Sequence, residues 1–509
     1  MAQTGDSKTI ARNTLFLYTR MLITLAVSLY TSRVVLQVLG IDDNGLYQTV
    51  GGIVGFLSFL NGALSTATSR FITFALGKGD ELELKKTFSA TLTAHFIIGL
   101  LIVLLAETIG LWYVHNKMVI PPERFQAALI VFHISIITSF LSILQVPFSA
   151  EIIAHERMSV FAYIGIIEAV GKLGIVYLLN VGHMDKLALY ALLLLVITIC
   201  LFIFNLTYNK KCFPEVSFRL SLDKKLFGKI FSFSGWSLMT NCAIALSGQG
   251  ITLLLNLFFP PAVVTARGVA SQVNSAASQF VGNFRTAVNP RIVKLFAAED
   301  YASSKRLMLV SAEFSYYLMF LFALPIYMLA APLLDLWLVE VPEYAATFLQ
   351  IVLIQSLFSV FNICFFTAIS AAGRIRENAW FTTIALFACF PVVYILFKRG
   401  ASPTVLSWAY LAAEAFLALI AKPYLLVKIV DYRWSEILRV FWNCFKVTLL
   451  AIPIPYLVCA SLGVDNLWNC AIILIVAVLS VLVSVWTLGF SREMRSRAIN
   501  SVRAHLVKS

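Results

Sequence analysis

The chain alternates long apolar runs with short polar breaks, and the apolar runs have the length of membrane spans. About 20 apolar residues are enough to cross a bilayer as a helix. The pattern therefore predicts an all-α polytopic membrane protein with about fourteen transmembrane helices. The predicted helices cover 13–38, 46–72, 86–112, 124–149, 158–180, 186–209, 227–257, 262–289, 305–331, 343–371, 377–397, 402–427, 437–461 and 466–489.

One predicted helix, 262–289, carries a continuous polar face. Such a face cannot look at lipid, because each unpaired polar group there costs several kcal/mol. It must line a water-filled cavity or be buried against partner helices. Steps of four and three residues place on this face Arg267, Ser271, Asn274, Ser278, Gly282, Arg285 and Asn289, and the face is widened by Gln272, Ser275, Gln279 and Asn283.

A similar polar face occurs about 220 positions earlier, in residues 44–70. The two stretches and the segments that follow them match in register, and an ordered series of this kind indicates a duplicated unit. At an offset of 220 the matches include Ser58 with Ser278, Gly62 with Gly282, Asp80 with Asp300, and Pro122-Glu123 with Pro342-Glu343; at a slightly smaller offset Ile152-x-Ala154-x-x-Arg157 matches Ile369-x-Ala371-x-x-Arg374.

The duplication and the loop charges predict the organisation of the chain. Six helices in each half give the halves one orientation, so a pseudo-twofold axis along the membrane normal should relate them. Lysine and arginine concentrate in alternate loops, which predicts that both termini are cytoplasmic. The predicted parts are an N-lobe at 1–209, a cytoplasmic linker at 210–226, a C-lobe at 227–427, and two further helices with a basic cytoplasmic tail at 428–509.

Composition supports the membrane class and excludes others. The chain has 509 residues, 60% of them hydrophobic and 13% charged, with a mean hydropathy of +0.86, which no soluble globular protein shows. The net charge of +13 lies in short loops beside membrane lipids and does not indicate nucleic acid. The eight scattered cysteines form no CxxC or Cys/His cluster, so neither a metal site nor a disulfide framework is indicated.

No enzyme signature is visible. The chain lacks a Walker P-loop and lacks a large external loop with paired carboxylates. The sequence therefore predicts a protein that is not an enzyme and needs no cofactor.

Arginines inside the predicted helices are the candidate ligand groups. A guanidinium without an acidic partner suits an anion, because its planar fork matches phosphate oxygens. Those near helix ends, Arg33, Arg70 and Arg267, could instead snorkel to lipid headgroups. Arg20 lies about seven residues inside its predicted helix, and Arg285 belongs to the polar face described above. Predicted helices 1, 2, 7 and 8 contain no Asp or Glu, but they contain Arg20, Arg33, Arg70, Arg267 and Arg285.

Neutral polar groups surround Arg285 on the same helix. They suit a hydroxyl-rich ligand such as a sugar, or they hold helices together through interhelical hydrogen bonds. The sugar-contacting candidates are Gln272, Asn274, Ser278, Gln279 and Asn283.

Few acidic residues occur inside the predicted helices. Glu168 and Lys172 are four residues apart and can pair on one face, either as a structural salt bridge or in ion coupling. Glu313 could balance a cavity arginine or couple an ion. Glu414 and His133 are single polar residues in apolar helices, and we expect them to be packed or internally satisfied.

The opening stretch resembles the first two helices of the Wzx-type O-antigen and capsule flippases, bacterial polysaccharide-export proteins of the multidrug/oligosaccharidyl-lipid/polysaccharide (MOP) exporter superfamily. The resemblance rests mainly on Leu39-Gly40, a short acidic turn, and Gly45-Leu46-Tyr47. It implies a MATE-like, V-shaped bundle of two six-helix lobes in the bacterial inner membrane, opening alternately to either side.

The same resemblance implies a substrate and partners. The substrate would be an undecaprenyl-diphosphate-linked oligosaccharide, such as a repeat unit of O-antigen, capsule or another surface polysaccharide. A glycan polymerase and other assembly proteins are candidate partners. Lipid II flippases of the superfamily use cavity arginines in helices 1, 2 and 8, which implies a diphosphate-binding role for Arg20, Arg70, Arg267 and Arg285.

Two other functions stay open. A cation-coupled multidrug or metabolite antiporter of the same superfamily commonly has acidic coupling residues in helix 1 or 7, and the predicted helices 1 and 7 have none. The third function is that of a non-transporting membrane enzyme or scaffold for glycan assembly.

Overall fold

The computed structural model consists of helices joined by short turns. It describes residues 2–57, 59–155, 157–179, 184–216, 227–228, 238, 241–242, 245–490 and 495; of these, the side chains of 2–20, 63, 66, 70, 77, 78, 158, 247, 286, 287, 290, 294, 297 and 375 are not described. Every element of regular secondary structure in the described residues is a helix, so the predicted all-α fold class is confirmed.

The first compact unit comprises Met1–Thr265 and Leu338–Pro342. A π turn, Ala106–Gly110, prolongs the third helix into Leu111–Asn116, and another, Leu246–Gly250, precedes the last. The helices of this unit are α1 (Ala2–Leu57), α2 (Phe59–Lys78), α3 (Glu81–Leu105), α4 (Phe125–Ala154), α5 (Met158–Leu178), α6 (Lys186–Cys212) and α7 (Ile251–Phe258).

The second compact unit comprises Ala266–Trp337 and Glu343–Ser509. Its first helix begins five residues before the boundary, and π turns occur at Leu417–Ala421 and Val485–Gly489. Its helices are α8 (Pro261–Ala297), α9 (Tyr301–Met328), α10 (Ala330–Trp337), α11 (Ala345–Ala371), α12 (Ile375–Lys398), α13 (Val405–Phe416), α14 (Lys422–Val430), α15 (Trp434–Ala451), α16 (Pro453–Leu462) and α17 (Leu467–Ser484).

Ten helical segments in the described residues are long and apolar enough to cross a membrane, so the chain is a multi-pass membrane protein. α8 is not among them, because its polar face lowers its hydropathy. The total of fourteen spans stays a prediction: most of the predicted linker, the start of the predicted seventh helix and most of the basic tail lie outside the described residues.

α1 is broken at Leu39-Gly40. The residues just after the break, Gly45-Leu46-Tyr47, are closely packed. Gly40 has φ 81°, a backbone region that glycine enters without steric cost. A Cβ on Gly45 would lie 2.0 Å from the carbonyl oxygen of Pro261, so glycine is required for α8 to begin there. Leu46 is fully buried, and Tyr47 packs edge-on against a tyrosine of α6. The residues between the first two predicted helices therefore form a sharp break inside α1 and not a long loop.

Helix starts recur at the offset found in the sequence. Asp80 caps α3 by accepting hydrogen bonds from the backbone N–H groups of the first turn, and Asp300 caps α9 in the same way. The residues before them, Gly79 and Glu299, both have positive φ. The matched aspartates therefore have one structural role, that of an N-cap.

Helix ends recur as well. α4 ends at Ala154 and α11 at Ala371, and the following helices are preceded by Arg157 and Arg374. The four residues are those matched in the sequence. This recurrence supports a duplicated unit, whereas the lobe boundaries at 1–209 and 227–427 stay predictions.

A single arginine joins three helices of the first unit. Arg124, just before α4, donates from Nε to Asp43 Oδ1 at 2.8 Å and from Nη1 to Asp185 Oδ2 at 2.5 Å. Asp185 also caps α6 by accepting from Leu187 and Ala188 N–H. Burial raises the pKa of the Asp185 carboxyl, but hydrogen bonds from Arg124 and Ala188 N–H outweigh that effect and leave the pKa below its usual value.

Candidate functional site

The polar face of α8 contacts neighbouring helices at one point and is left partly exposed at others. Asn274 Oδ1 accepts a hydrogen bond of 2.7 Å from Ser356 Oγ of α11. Ser278 and Arg285 are half-buried, while Gln279 is exposed. Asn274 therefore holds two helices together, which is the alternative role that the sequence left open for these amides.

Arg285 lies eighteen residues after Arg267, which is five turns of helix, so both belong to one face. Its side chain contacts the thiol of Cys364 on α11. That thiol donates to Ser315 Oγ of α9 at 3.8 Å, and both residues are buried. The Arg285 Nε is itself buried and has no hydrogen-bond partner among the described residues.

A second cation, Lys422, lies close to Arg285. The two interact electrostatically, although Lys422 is at the start of α14. Its side chain is 6% exposed, and its Nζ donates to the carbonyl oxygen of Asn362 at 2.8 Å. The ammonium also lies 5.7 Å from the centre of the Phe366 ring, a distance at which a cation and an aromatic face attract.

One carboxylate accompanies these two cations. The Asn362 side-chain amide donates to the Glu414 carboxylate and, at 3.2 Å, to the Glu414 carbonyl oxygen. Glu414 in turn interacts electrostatically with Lys422. Glu414 is thus internally satisfied, as expected, but within a charged network that the sequence did not predict. Arg285, Lys422 and Glu414 together carry one excess positive charge.

Arg267 lies five turns from Arg285 along α8 and interacts with a different residue, on α13. Tyr410 is close enough to the Arg267 guanidinium to interact with it electrostatically. Tyr410 is four residues before Glu414 and so shares its helical face. Among the described residues, no carboxylate forms an ion pair with Arg267 or Arg285, in agreement with the absence of acids from α8 itself.

Comparison of the sequence with known proteins gives one partial relative. No family model matches the chain. A 240-residue segment is 22% identical to the "uncharacterized membrane protein EpsK" of Bacillus subtilis (strain 168), and the match covers 47% of this chain and 47% of EpsK. The match therefore spans about half the length of its relative.

Comparison with solved structures gives matches that cover more of the chain. The lipid II flippase MurJ, in an inward closed conformation, matches with a TM-score of 0.71 over 93% of this chain and 98% of MurJ, at 12% identity. An inward-facing multidrug resistance MATE family transporter of the MOP superfamily matches with a TM-score of 0.67 over 82% and 96% of the two chains, at 11% identity. A MATE transporter from Vibrio cholerae matches at 0.59 over 85% and 100%, at 17% identity.

The chain has the fold of the MOP superfamily. Its nearly full-length match to both branches, a flippase and multidrug transporters, confirms the MATE-like fold that the resemblance implied. At these identities the likeness shows the fold alone. The function of the site has to be inferred from the residues described above.

The side chains of two of the four candidate arginines are not among those that the structure describes. The backbones of Arg20 and Arg70 lie in α1 and α2, and their side chains are not described. Their role stays a prediction. The neutral candidates Gln272 and Asn283 lie half-buried on α8.

Glu313 does not belong to the Arg285 network. Its Oε1 accepts a hydrogen bond of 2.8 Å from Asn443 Nδ2 of α15. It lines a cavity of about 1050 Å³ whose other charged residues include Arg439, Lys305 and Glu436. Glu313 therefore faces a mixed-charge cavity of the second unit, which is compatible with either of its predicted roles.

Glu168 and Lys172 pair as their spacing predicts. The Lys172 Nζ lies 2.6 Å from Glu168 Oε1, and both side chains are more than 40% exposed. The pair lies on the surface of α5. Its two predicted roles, a structural salt bridge and ion coupling, both stay predictions.

Proposed function

We propose that the chain is a flippase that moves an undecaprenyl-diphosphate-linked oligosaccharide from the cytoplasmic to the periplasmic leaflet by alternating access. The observation that carries the proposal is the Arg285 network. It holds two cations and one carboxylate, and one buried guanidinium N–H donor of Arg285 has no partner. An anionic group supplies the missing charge and the missing acceptor, and a diphosphate offers both.

Each polar group has a distinct task in this proposal. Arg285 binds the diphosphate through its open donor capacity, and Lys422 contributes charge from a fixed, buried position. Ser278, Gln279, Asn283 and Gln272 contact sugar hydroxyls along the same face of α8. The prenyl chain stays in the bilayer beside α15 to α17, whose surface carries exposed large apolar side chains.

The charge arrangement favours a flippase over a cation antiporter. A surplus of cations repels a cationic drug or a coupling cation, since like charges in a poorly solvated site cost several kcal/mol. The MOP fold supports transport in general, because the solved proteins that share it are transporters. The anionic substrate class is our inference from the residues.

The test is a flipping assay with purified protein in proteoliposomes. The probe is an undecaprenyl-diphosphate oligosaccharide with a fluorescent sugar, whose label is destroyed by an impermeant reductant on the outside. We expect the protein to accelerate the loss of the inner-leaflet signal. A neutral lipid with the same sugar should be flipped much more slowly, because it lacks the group that Arg285 binds.

The same vesicles separate the alternatives. Transport of a cationic dye against a proton or sodium gradient, without flipping of the diphosphate lipid, would overturn the proposal in favour of the antiporter. No transport of either probe by protein that is folded and correctly inserted would favour the enzyme or scaffold.

The proposed direction depends on the predicted orientation. Single cysteines at positions 220 and 500, on a cysteine-free background, should be labelled only by reagents that enter the cytoplasm. Labelling of either position from the periplasm would overturn the cytoplasmic placement of the termini.

A further inference from the structure

Three potential metal ligands meet at the C-terminal end of α4. Glu151 lies in the last turn of α4, and His155 follows one turn later at the end of the helix. Glu215 lies in the turn that follows α6. All three belong to the first compact unit, on the side that the loop charges predict to be cytoplasmic.

The three ligand atoms are close together. His155 Nε2 lies 2.6 Å from Glu215 Oε1 and 3.5 Å from Glu151 Oε1, and the three ligand atoms all lie within 4.8 Å of one another. The His155 ring stacks on Phe213 with 4.3 Å between centroids, which fixes the plane of the imidazole. Ligands at the usual Zn–N and Zn–O lengths of about 2.0–2.2 Å stand roughly 3.4 Å apart in a tetrahedral site, within the range found here.

Glu151 is the unexplained member of this group. Its side chain is 0% exposed, and neither carboxylate oxygen accepts a hydrogen bond from an N–H or hydroxyl donor of the described residues. Apart from His155, the group that it interacts with is another carboxylate, that of Glu215. No lysine or arginine of the described residues pairs with Glu151 or Glu215. Even a charged imidazole would leave one excess negative charge, and a buried, uncompensated carboxylate is costly.

We propose that Glu151, His155 and Glu215 form a binding site for one divalent transition-metal ion of the zinc type. The imidazole nitrogen favours such an ion over Mg²⁺ or Ca²⁺, which prefer oxygen ligands only. Two carboxylates neutralise the charge of the ion, and the ion gives the Glu151 oxygens the partner they lack. The 24% exposed side of His155 leaves access for the ion and for a water as fourth ligand.

The ion would hold the turn after α6 against the end of α4. That turn leads into residues 217–226, the greater part of the predicted linker between the repeats. Binding would therefore stabilise the first unit where α6 ends and the predicted linker begins, independently of any transported substrate.

The experiment uses full-length purified protein stripped with a chelator and titrated with Zn²⁺ alone. We expect one ion per chain by elemental analysis after gel filtration and a higher Tm with Zn²⁺ than without. X-ray absorption should show a shell of nitrogen and oxygen near 2.0–2.1 Å, because the proposed ligands contain no sulfur.

Variants make the test specific. Glu151→Gln and Glu215→Gln should each abolish the zinc-dependent rise in Tm. Glu151→Gln should be folded without zinc, because the amide removes the buried charge. The matched control is His133→Ala, on the same helix, where His133 Nδ1 lies 3.0 Å from an exposed carboxylate oxygen of Glu107; this variant should bind zinc as wild type does.

Three results would overturn the proposal. They are wild-type protein that binds no more zinc than Glu151→Gln, a Tm that zinc does not change, and a sulfur shell near 2.3 Å, which would assign the ion to cysteines such as the nearby Cys212. The first two would mean that the two carboxylates share a proton instead of binding a metal.

Discussion

Two arginines of this protein, Arg124 and Arg285, differ in how far the fold satisfies them. Arg124 is engaged by the carboxylates of Asp43 and Asp185, which accept from three of its nitrogens. Arg285 contacts a thiol, lies near Lys422, and keeps a buried Nε without a partner.

The difference indicates different tasks. A guanidinium whose three nitrogens all donate to fixed carboxylates has little capacity left for a ligand, which favours a structural role for Arg124. A guanidinium held beside another cation with an open donor is costly unless an anion joins it. Substitutions at the two arginines should therefore have different consequences, one for transport and the other for stability.

Reversing the charge of Arg285 should abolish glycan export. Arg285→Glu places a carboxylate where a diphosphate would bind. Arg285→Ala should weaken binding about ten- to a hundredfold, since a charge-assisted hydrogen bond contributes about 1.5–3 kcal/mol. Arg285→Lys should restore part of the activity, because it keeps the charge and loses the fork. Export is measured in cells that lack the native gene, alongside immunoblots of membrane fractions.

The control for this series is Arg291→Glu, the same reversal at an exposed position of α8, which should export normally. Normal export by Arg285→Glu would show that Arg285 does not serve the substrate. Loss of all three Arg285 variants from the membrane would show instead that Arg285 is structural, like Arg124.

Replacing Arg124 should lower stability and leave transport by the folded molecules intact. Arg124→Ala leaves two partly buried carboxylates without their partner, at a cost on the order of 2–3 kcal/mol. The check is Tm in detergent together with flipping per correctly folded molecule. In a double-mutant cycle, Asp43→Asn should cost less in the Arg124→Ala background than in wild type. A fall in the specific rate at unchanged Tm would remove the distinction between the two arginines.

Sequence periodicity predicted the helices and the polar face, because lipid restricts a spanning chain to helices and assigns polar groups to interior faces. It could also predict that Asp80 and Asp300 are equivalent, since an N-cap is a local feature of the chain. The Arg124 cluster could not be predicted, because it depends on which helix ends meet in space.

The Glu414–Lys422 relation shows a second limit. Eight residues apart, they would be about 80° apart on a regular α-helix. The π turn Leu417–Ala421 accommodates about one extra residue, which brings both side chains towards one face. In the sequence, Lys422 is only one residue near the C-terminal end of the predicted helix 402–427. Its place on the same face as Glu414 follows from this irregular turn.

Neutralising Glu414 should have an intermediate effect. Glu414→Gln keeps an acceptor for the Asn362 amide but raises the excess positive charge around Arg285 from one to two. Substrate should then bind more tightly and leave more slowly, so KM and kcat should fall together, each by roughly three- to tenfold, equivalent to about 0.7–1.4 kcal/mol. The reconstituted flipping assay measures both. A raised KM would show that Glu414 contacts the substrate itself instead of balancing the cations.

Breaking the Glu168–Lys172 pair should have the smallest effect. The two residues are four apart on one helix, and such a pair stabilises a helix by about 0.2–0.5 kcal/mol. Glu168→Gln and Lys172→Gln should therefore shift Tm by about two degrees or less and leave export unchanged, with no change in its response to proton or sodium gradients. Each charge of this pair is balanced by the other, whereas Arg285 has a buried donor that no described residue satisfies. If either variant uncoupled transport from an ion gradient at normal stability, a fully paired charge could no longer be taken as the sign of a structural residue. The structural role assigned to Arg124 would then have to be re-examined.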